Sequence, residues 1–469
     1  MPRRKLYQLP GGVLILVALA GVAAAQAPAP ALQAFRDIYK ELVEIDTTEA
    51  TGDTLRAAQA MAARLKAAGF PAGDIHVIST GPRKGNMVAR LRGNGTRRPM
   101  LLLAHIDVVP ARREDWDSDP FKLTEAGGYF RGRGVIDDKA MAAIFVANMI
   151  EYLKEDFRPE RDIILALTTD EELARSPHNG VRWLLDNRRA LIDAEFAINE
   201  GGGGALRKGR PFRLAMQMAE KVYQTYVFEA AGAGGHSASP RGDNPIYRLS
   251  AALTRLAQFA FPPSLNAITR ASFEQIAASE TPATAAAIRA LLAGTTDAAT
   301  LKPIADNPSY NAQMRTTCVA TLLEAGQVEN AVPQRARATV NCRILPHEPV
   351  EQVARTLARV IADEKVTITP IGTPMASPPS PPHPEVVRTV SRLAAELWPG
   401  VPIHATMGNG YTDSRWLRAA GIPAYGVSGL FSERGRNGVH ARNERVAVKD
   451  VYASKLFLYR LVKELAATP

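Results

Sequence analysis

The sequence predicts an α/β fold, with a discontinuous catalytic domain built on a mostly parallel central sheet and an inserted α+β lid or dimerisation domain. Three observations carry this. Strand-like apolar runs alternate with stretches of helical period through the first part of the chain. Three motifs stand just past the carboxyl ends of such runs: MLLLA leads into His105, IILALTT into Asp170-Glu171-Glu172, and FAIN into Glu200. Open α/β sheets place their ligand sites at that edge. From about Lys221 the pattern turns β-rich, as in VYQTYVFEAA, and helices with short strands resume only after the proline-rich run MASPPSPPHPE, residues 375–385.

In chain order, apolar residues at helical spacing predict helices over Leu32 to Val43 and Leu55 to Ala68, the second stopped by Gly69. Strands are predicted at Ile75 to Ile78, Met87 to Leu91, Leu101 to Ala104, Ile163 to Leu167 and Phe196 to Ile198, with a helix from near Asp138 to about Lys154. A long helical stretch is expected from about Leu265 to Leu301, then strands holding Cys318 and Cys342, then a helix from Val350 to Ala362. The expected boundaries are residues 1–25 as a signal peptide, 26–220 and 371–469 as the two parts of the catalytic domain, and 221–370 as the insert.

Arg3, Arg4 and Lys5 precede an apolar run from Val13 to Ala25 that ends in small residues before Gln26, the pattern of a secretory signal. The run is shorter than the roughly 18 to 20 residues that span a bilayer. Export to the periplasm or the exterior, with no stable membrane anchor after cleavage, is therefore expected. The formal charge of +10 on 469 residues is scattered, without aromatic interleaving, which argues against a nucleic-acid partner. Cys318 and Cys342 could form a disulfide between neighbouring strands or remain two buried thiols.

The chemistry rests on five motifs: His105-Ile106-Asp107, Asp137-Asp138-Lys139, Asp170-Glu171-Glu172, Asn199-Glu200-Gly201, and His440 in HARNERV. Imidazole and carboxylate groups ligate zinc, and two zinc ions can share a carboxylate and activate water. Each motif alone has a plainer reading. His105 could be structural, Asp137-Asp138 could cap a helix, Glu171-Glu172 could be an acidic loop, Gly201-Gly202-Gly203-Gly204 a flexible turn, and His440 a surface histidine. Together they supply a two-metal site. His105 would bind zinc, with Asp107 accepting from its other ring nitrogen. Asp137 would bridge while Asp138 caps or orients, Glu172 would bind, and Glu171 would act as general base.

The segments LLAHIDVVP, GRGVIDDKA, TTDEELA, INEGG, GAGGHSASP, VENAVPQ with NCRILP, NGYTDSRWL and VHARNERV resemble the di-zinc exopeptidases and deacylases of the twentieth metallopeptidase family. That family includes glutamate carboxypeptidase, carboxypeptidase S, aminoacylase-1 and succinyl-diaminopimelate desuccinylase. The resemblance implies that Asp137 bridges two ions, that His105 and Glu200 bind one and Glu172 and His440 the other, and that Glu171 is the base. It further implies that His236 reaches across a homodimer, formed through the insert, to the oxyanion. Asn330 and Arg343 would bind substrate, and Gly408, Asn409 and Gly410 would offer backbone donors to its carboxylate. DDKA in place of the usual DDKG, and GNGYTD in place of a tighter turn, depart from the common pattern. The helical insert makes the carboxypeptidase S-like branch the nearest match.

The expectation is a zinc-dependent carboxypeptidase or dipeptidase that cleaves the amide beside a residue with a free carboxylate, with cobalt or manganese as possible substitutes for zinc. The alternatives are an aminoacylase-like hydrolase of N-acyl amino acids and a catalytically silent binding protein.

Overall fold

The computed structural model describes residues 29–433 and 438–467, so the expected signal peptide lies outside the described residues. A ten-stranded sheet forms the centre, in the order Ile75–Gly81, Lys84–Leu91, Ile163–Thr168, Met100–His105, Phe196–Asn199, Ala424–Gly426, Arg210–Glu220, Gly204–Arg207 and Phe431–Ser432, with Ile403–Gly408 also paired to Arg210–Glu220. Its middle is parallel: Met100–His105 runs parallel to both Ile163–Thr168 and Phe196–Asn199, and the latter to Ala424–Gly426. Antiparallel pairs flank that block on both sides.

Strand alternation explains how the two faces are covered. Met100, Leu102, Ala104, Ile163, Leu165 and Leu167 point to one side, where they bury against helices Ala29–Glu44, Thr54–Ala67, Lys139–Lys154, Pro384–Leu397 and Val448–Ala466. Leu101, Leu103, Ile164 and Ala166 point to the other and pack under Gly180–Arg188 and Ser414–Ala419. Central parallel strands are thus apolar on both faces, which is why they read as unbroken runs.

A second, four-stranded antiparallel sheet has the order Thr317–Ala325, Arg335–Ile344, Val222–Ala231, Val366–Ile371. Its inward side chains, among them Tyr226, Phe228, Val340 and Ile344, bury against residues of helices Pro245–Gln258 and Val350–Ile361. Cys318 and Cys342 face each other across two neighbouring strands and are joined as a disulfide.

The long helical stretch expected from Leu265 resolves into four short helices: Ala267–Ala277, Pro282–Leu292, Ala298–Ala305 and Pro308–Met314. The breaks are local. Asn266, Thr281, Asp297 and Asn307 each accept from a backbone N–H of the following first turn, and Pro282 and Pro308 open their helices. These helices share a small core of Phe273, Ile288, Leu291, Ile304 and Met314, and the first packs on strand Ile403–Gly408 of the central sheet. The 375–385 run stays irregular up to Pro384, tied to the central sheet where Ser380 N donates to Met218 O at 2.8 Å.

Candidate metal centre and active site

Parallel pairing sets His105 level with Thr168, so the residues that follow the second strand, Glu171 and Glu172, emerge beside the imidazole. Glu200 leaves the neighbouring strand Phe196–Asn199 at the same edge. His105 Nε2 lies 3.0 Å from Asp137 Oδ1 and 3.8 Å from Glu200 Oε2. On the other side, His440 Nε2 lies 3.0 Å from Asp137 Oδ2 and 3.0 Å from Glu172 Oε1. Asp137 thus presents one oxygen to each histidine, and each histidine has its own glutamate.

The expected partnership of Asp107 with His105 differs in detail. His105 Nδ1 is 3.0 Å from the Asp107 carbonyl and 3.6 Å from Oδ1. The carboxylate instead accepts the backbone N–H of Glu171 at 3.1 Å and of Glu172 at 3.0 Å, so Asp107 fixes the loop that carries both glutamates. Asp138 occupies the N-cap position of helix Lys139–Lys154, yet its side chain caps nothing and Oδ2 is buried without a partner. Asp170, at φ 60°, takes Lys84 Nζ at 2.8 Å.

Electrostatics separates the members of the cluster. Burial pushes Glu171 well above the usual carboxylate range, with Asp413 and Glu172 adding to the push against the pull of His105. Glu200 and Asp138 are driven up by burial in the same way. Burial opposes charge on Asp137 too, but hydrogen bonds from His105 and His440 hold it below its ordinary value. Hydrogen bonds to Asp137 and Glu172 raise His440 to about 10, and Glu200, Asp107 and Asp137 hold His105 well up against burial. So dense a set of carboxylates calls for positive charge beyond two imidazoles. His105, Asp137 and Glu172 form one group able to hold a cation and His105, Glu171 and Glu200 another, and Glu171 Oε1 is buried without a partner. The donor set fits a pair of divalent ions.

Several supporting residues carried no distinct sequence signal. Glu444, fully buried, accepts from Arg133 Nη1 at 2.7 Å, Ile136 N at 2.8 Å, Gly134 N at 3.0 Å and Asp137 N at 3.3 Å, fixing the turn that delivers Asp137. Asp413, raised to about 6 by burial, accepts from Thr168 Oγ1 at 3.0 Å and Asn179 Nδ2 at 2.8 Å. Glu220 holds Arg418 at 2.8 Å and accepts from Thr412 N at 2.8 Å, anchoring the loop after strand Ile403–Gly408.

Arg343 stands opposite Tyr223 in the antiparallel pair, and its guanidinium carbon lies 4.7 Å from that ring and 5.4 Å from Tyr411. Its Nη1 is buried and unpaired, and burial lowers its pKa while Tyr411, Tyr223 and Glu171 support the charge. Arg343 therefore shares an electrostatic neighbourhood with Glu171. Gly408 ends its strand with its carbonyl accepting from Lys221 N at 3.2 Å, Asn409 Oδ1 is buried without a partner, and Gly410 leads to Tyr411. His236 and Asn330 lie apart from this neighbourhood and next to each other. His236 is exposed and pairs with Ala331, while Ser237 N donates to the carbonyl of Asn330, itself an exposed residue, at 3.0 Å. Asn330 and Arg343, expected as a pair, are thus separated: one sits in an exposed hairpin, the other beside Tyr223.

Residues 101–464 match the family described as Peptidase family M20/M25/M40, and the chain belongs to that family. It is a metal-dependent hydrolase acting on peptide or amide bonds. Among curated relatives, the N-fatty-acyl-amino acid synthase/hydrolase of Homo sapiens is 27% identical over 379 residues, covering 78% of this chain and 74% of that one. A succinyl-diaminopimelate desuccinylase of Dinoroseobacter shibae is 26% identical over 424 residues, covering 86% and 92%. Among solved structures, an M20 family metallo-carboxypeptidase from Sulfolobus solfataricus superposes with a TM-score of 0.68 at 18% identity, covering 92% of this chain and 98% of that one. Human carnosine dipeptidase 1 gives 0.65 at 16%, covering 93% and 99%. No helix among the described residues is long and apolar enough to cross a membrane.

Proposed function

We propose that this protein hydrolyses the amide bond next to a residue with a free carboxylate, as an exported carboxypeptidase or dipeptidase. The observation that carries the proposal is Asp137, with one oxygen 3.0 Å from each of two histidines that have separate glutamate partners. His105 and Glu200 would hold one divalent ion, His440 and Glu172 the other, and Asp137 would touch both; zinc is the first choice by donor type, with cobalt or manganese as substitutes. When bound, the ions polarise the scissile carbonyl and make water more acidic.

The chain's own groups do the rest. Glu171, buried and raised, takes a proton from the attacking water and returns it to the departing nitrogen. Asp107 holds the Glu171-Glu172 backbone in place. Arg343 takes the substrate carboxylate with its unpaired Nη1, and the Gly408-Asn409-Gly410 loop lies nearby to add backbone donors. His236 and Asn330, exposed together, serve the site of a second copy. The edge strand Thr317–Ala325 supports such a dimer, since Val319, Leu322 and Leu323 are each more than half exposed there.

A second reading, an N-acyl-amino acid hydrolase, is favoured by the curated relatives named N-fatty-acyl-amino acid synthase/hydrolase. A panel of dipeptides and N-acyl amino acids, assayed with zinc and after chelation, tests both. Metal-dependent release of an amino acid supports the shared chemistry, and no release from either set overturns it. Mixing His236→Ala with Glu171→Gln protein should restore activity if His236 acts across a dimer.

A further inference from the structure

The residue before Glu171 and Glu172 has an uncommon backbone. Asp170 sits at φ 60°, in the left-handed region that a residue with a β-carbon seldom occupies unless its surroundings hold it there. The turn follows strand Ile163–Thr168, and directly after it Glu171 reaches the group it forms with His105 and Glu200.

What holds Asp170 comes from the edge of the central sheet. Strand Lys84–Leu91 pairs antiparallel with Ile163–Thr168, with Met87 facing Leu167. Carried three residues further, from Met87 to Lys84 and from Leu167 to Asp170, that register sets the two level. Lys84 Nζ meets Asp170 Oδ1 at 2.8 Å, and the side chains are only 13% and 1% exposed. The carboxylate also accepts from Thr169 Oγ1 at 3.0 Å and from Ser176 Oγ at 2.5 Å. Residues beside Lys84 in the same hairpin hold the rest of the loop. Thr169 N donates to Asn86 Oδ1 at 3.0 Å, and His178 Nδ1 donates to Thr80 O at 2.6 Å. The hairpin thus grips the chain on both sides of Glu171 and Glu172, while Asp107 takes the amides between. Taking the cation from a buried pair leaves the carboxylate uncompensated. Here that carboxylate belongs to the turn itself, so the chain relieves it by moving the turn.

We propose that Lys84, which stands in none of the acidic or histidine motifs, is a positioning residue for the hydrolytic reaction. By pairing with Asp170 it holds the left-handed turn that aims Glu171, and the hairpin tip, residues 80–86, keeps the base in place. The proposal rests on the reading of Glu171 as proton acceptor. Lys84 acts through Asp170 and not on the reacting atoms.

Lys84→Met keeps the length of the side chain and removes its charge. Saturated with zinc and assayed on the dipeptide and N-acyl amino acid panel, it should lose about 10- to 100-fold in kcat with KM little changed, since a misplacement of about 1 Å costs up to about 10²-fold. Lys84→Arg restores a cation and should recover most of the loss. Lys84→Met combined with Asp170→Asn should recover it too, because the stranded charge is gone and asparagine tolerates the left-handed turn. Hydrogen exchange read by mass spectrometry over residues 169–178 needs no turnover. Those amides should exchange faster in Lys84→Met and near the original rate in the two recovered forms. Unchanged kcat in Lys84→Met, a loss that neither recovered form diminishes, or a slow variant whose 169–178 amides exchange as before would overturn the proposal. If Lys84→Met does not fold, the double variant decides: folded and active supports the pairing, unfolded or inactive overturns it. Absence of hydrolysis by the unsubstituted protein sinks the amidohydrolase reading alone, since the exchange comparison still reports whether Lys84 holds the turn.

Discussion

Replacing Glu444 by alanine should damage both the fold and the metal centre, although Glu444 is not itself among the expected ligands. Its carboxylate accepts from Arg133 at 2.7 Å and from the backbone of Gly134, Ile136 and Asp137 at 3.0, 2.8 and 3.3 Å, all around a fully buried side chain. Removing one partner of a buried ion pair costs about 3 to 5 kcal/mol, because the other charge is left unpaired. Each stranded N–H adds about 1 to 3 kcal/mol, though such terms overlap and do not sum fully. A loss of at least about 4 kcal/mol is expected, which lowers the unfolding midpoint by on the order of 10 °C. Because the same turn delivers Asp137, the fraction that stays folded should also bind zinc more weakly. Thermal unfolding and a zinc titration against a competing chelator measure the two effects. Glu444→Gln keeps the volume and one acceptor, so it should fall between. A Glu444→Ala protein with unchanged midpoint and zinc affinity would refute the argument.

Glu171→Gln should keep its metals, by elemental analysis, and lose turnover by about 10² to 10⁴, since only the proton acceptor is removed. Replacing both Cys318 and Cys342 by alanine opens a link spanning 24 residues and should lower stability by about 3 to 4 kcal/mol in denaturant unfolding under oxidising conditions. Burial lowers Lys221 to about 7 from 10.5. The unfolded chain therefore holds this proton over a window in which the folded one does not, and stability should rise with pH between about 7 and 10.5. Lys221→Met should flatten that rise, with its gain over the unsubstituted protein largest at pH 7 and gone near pH 10.5.

The strand-end candidates for metal ligation are legible because a parallel sheet makes sequence position predict place. Once MLLLA, IILALTT and FAIN are read as neighbouring strands, His105, Glu172 and Glu200 must emerge at one edge. Asp107 was legible as a member and not in its bonding, since nothing in HxD tells whether the carboxylate meets the imidazole or the amides of a loop far along the chain. Glu444 is hidden in the same way: its partners lie about 310 positions away, and nothing in its local sequence points to them. Tyr223 and Tyr411 read as ordinary strand and loop aromatics until pairing set one opposite Arg343. The four short helices were blurred into one because an apolar alanine-rich composition hides the caps that end each of them.

The central claim is that Asp137 stands between two divalent ions. Crystals grown with zinc and measured on either side of its absorption edge would show this directly. Two anomalous peaks are expected, one within coordinating distance of Asp137 Oδ1, His105 and Glu200, and the other within reach of Asp137 Oδ2, His440 and Glu172. A single peak, or two peaks of which neither touches Asp137, would contradict it.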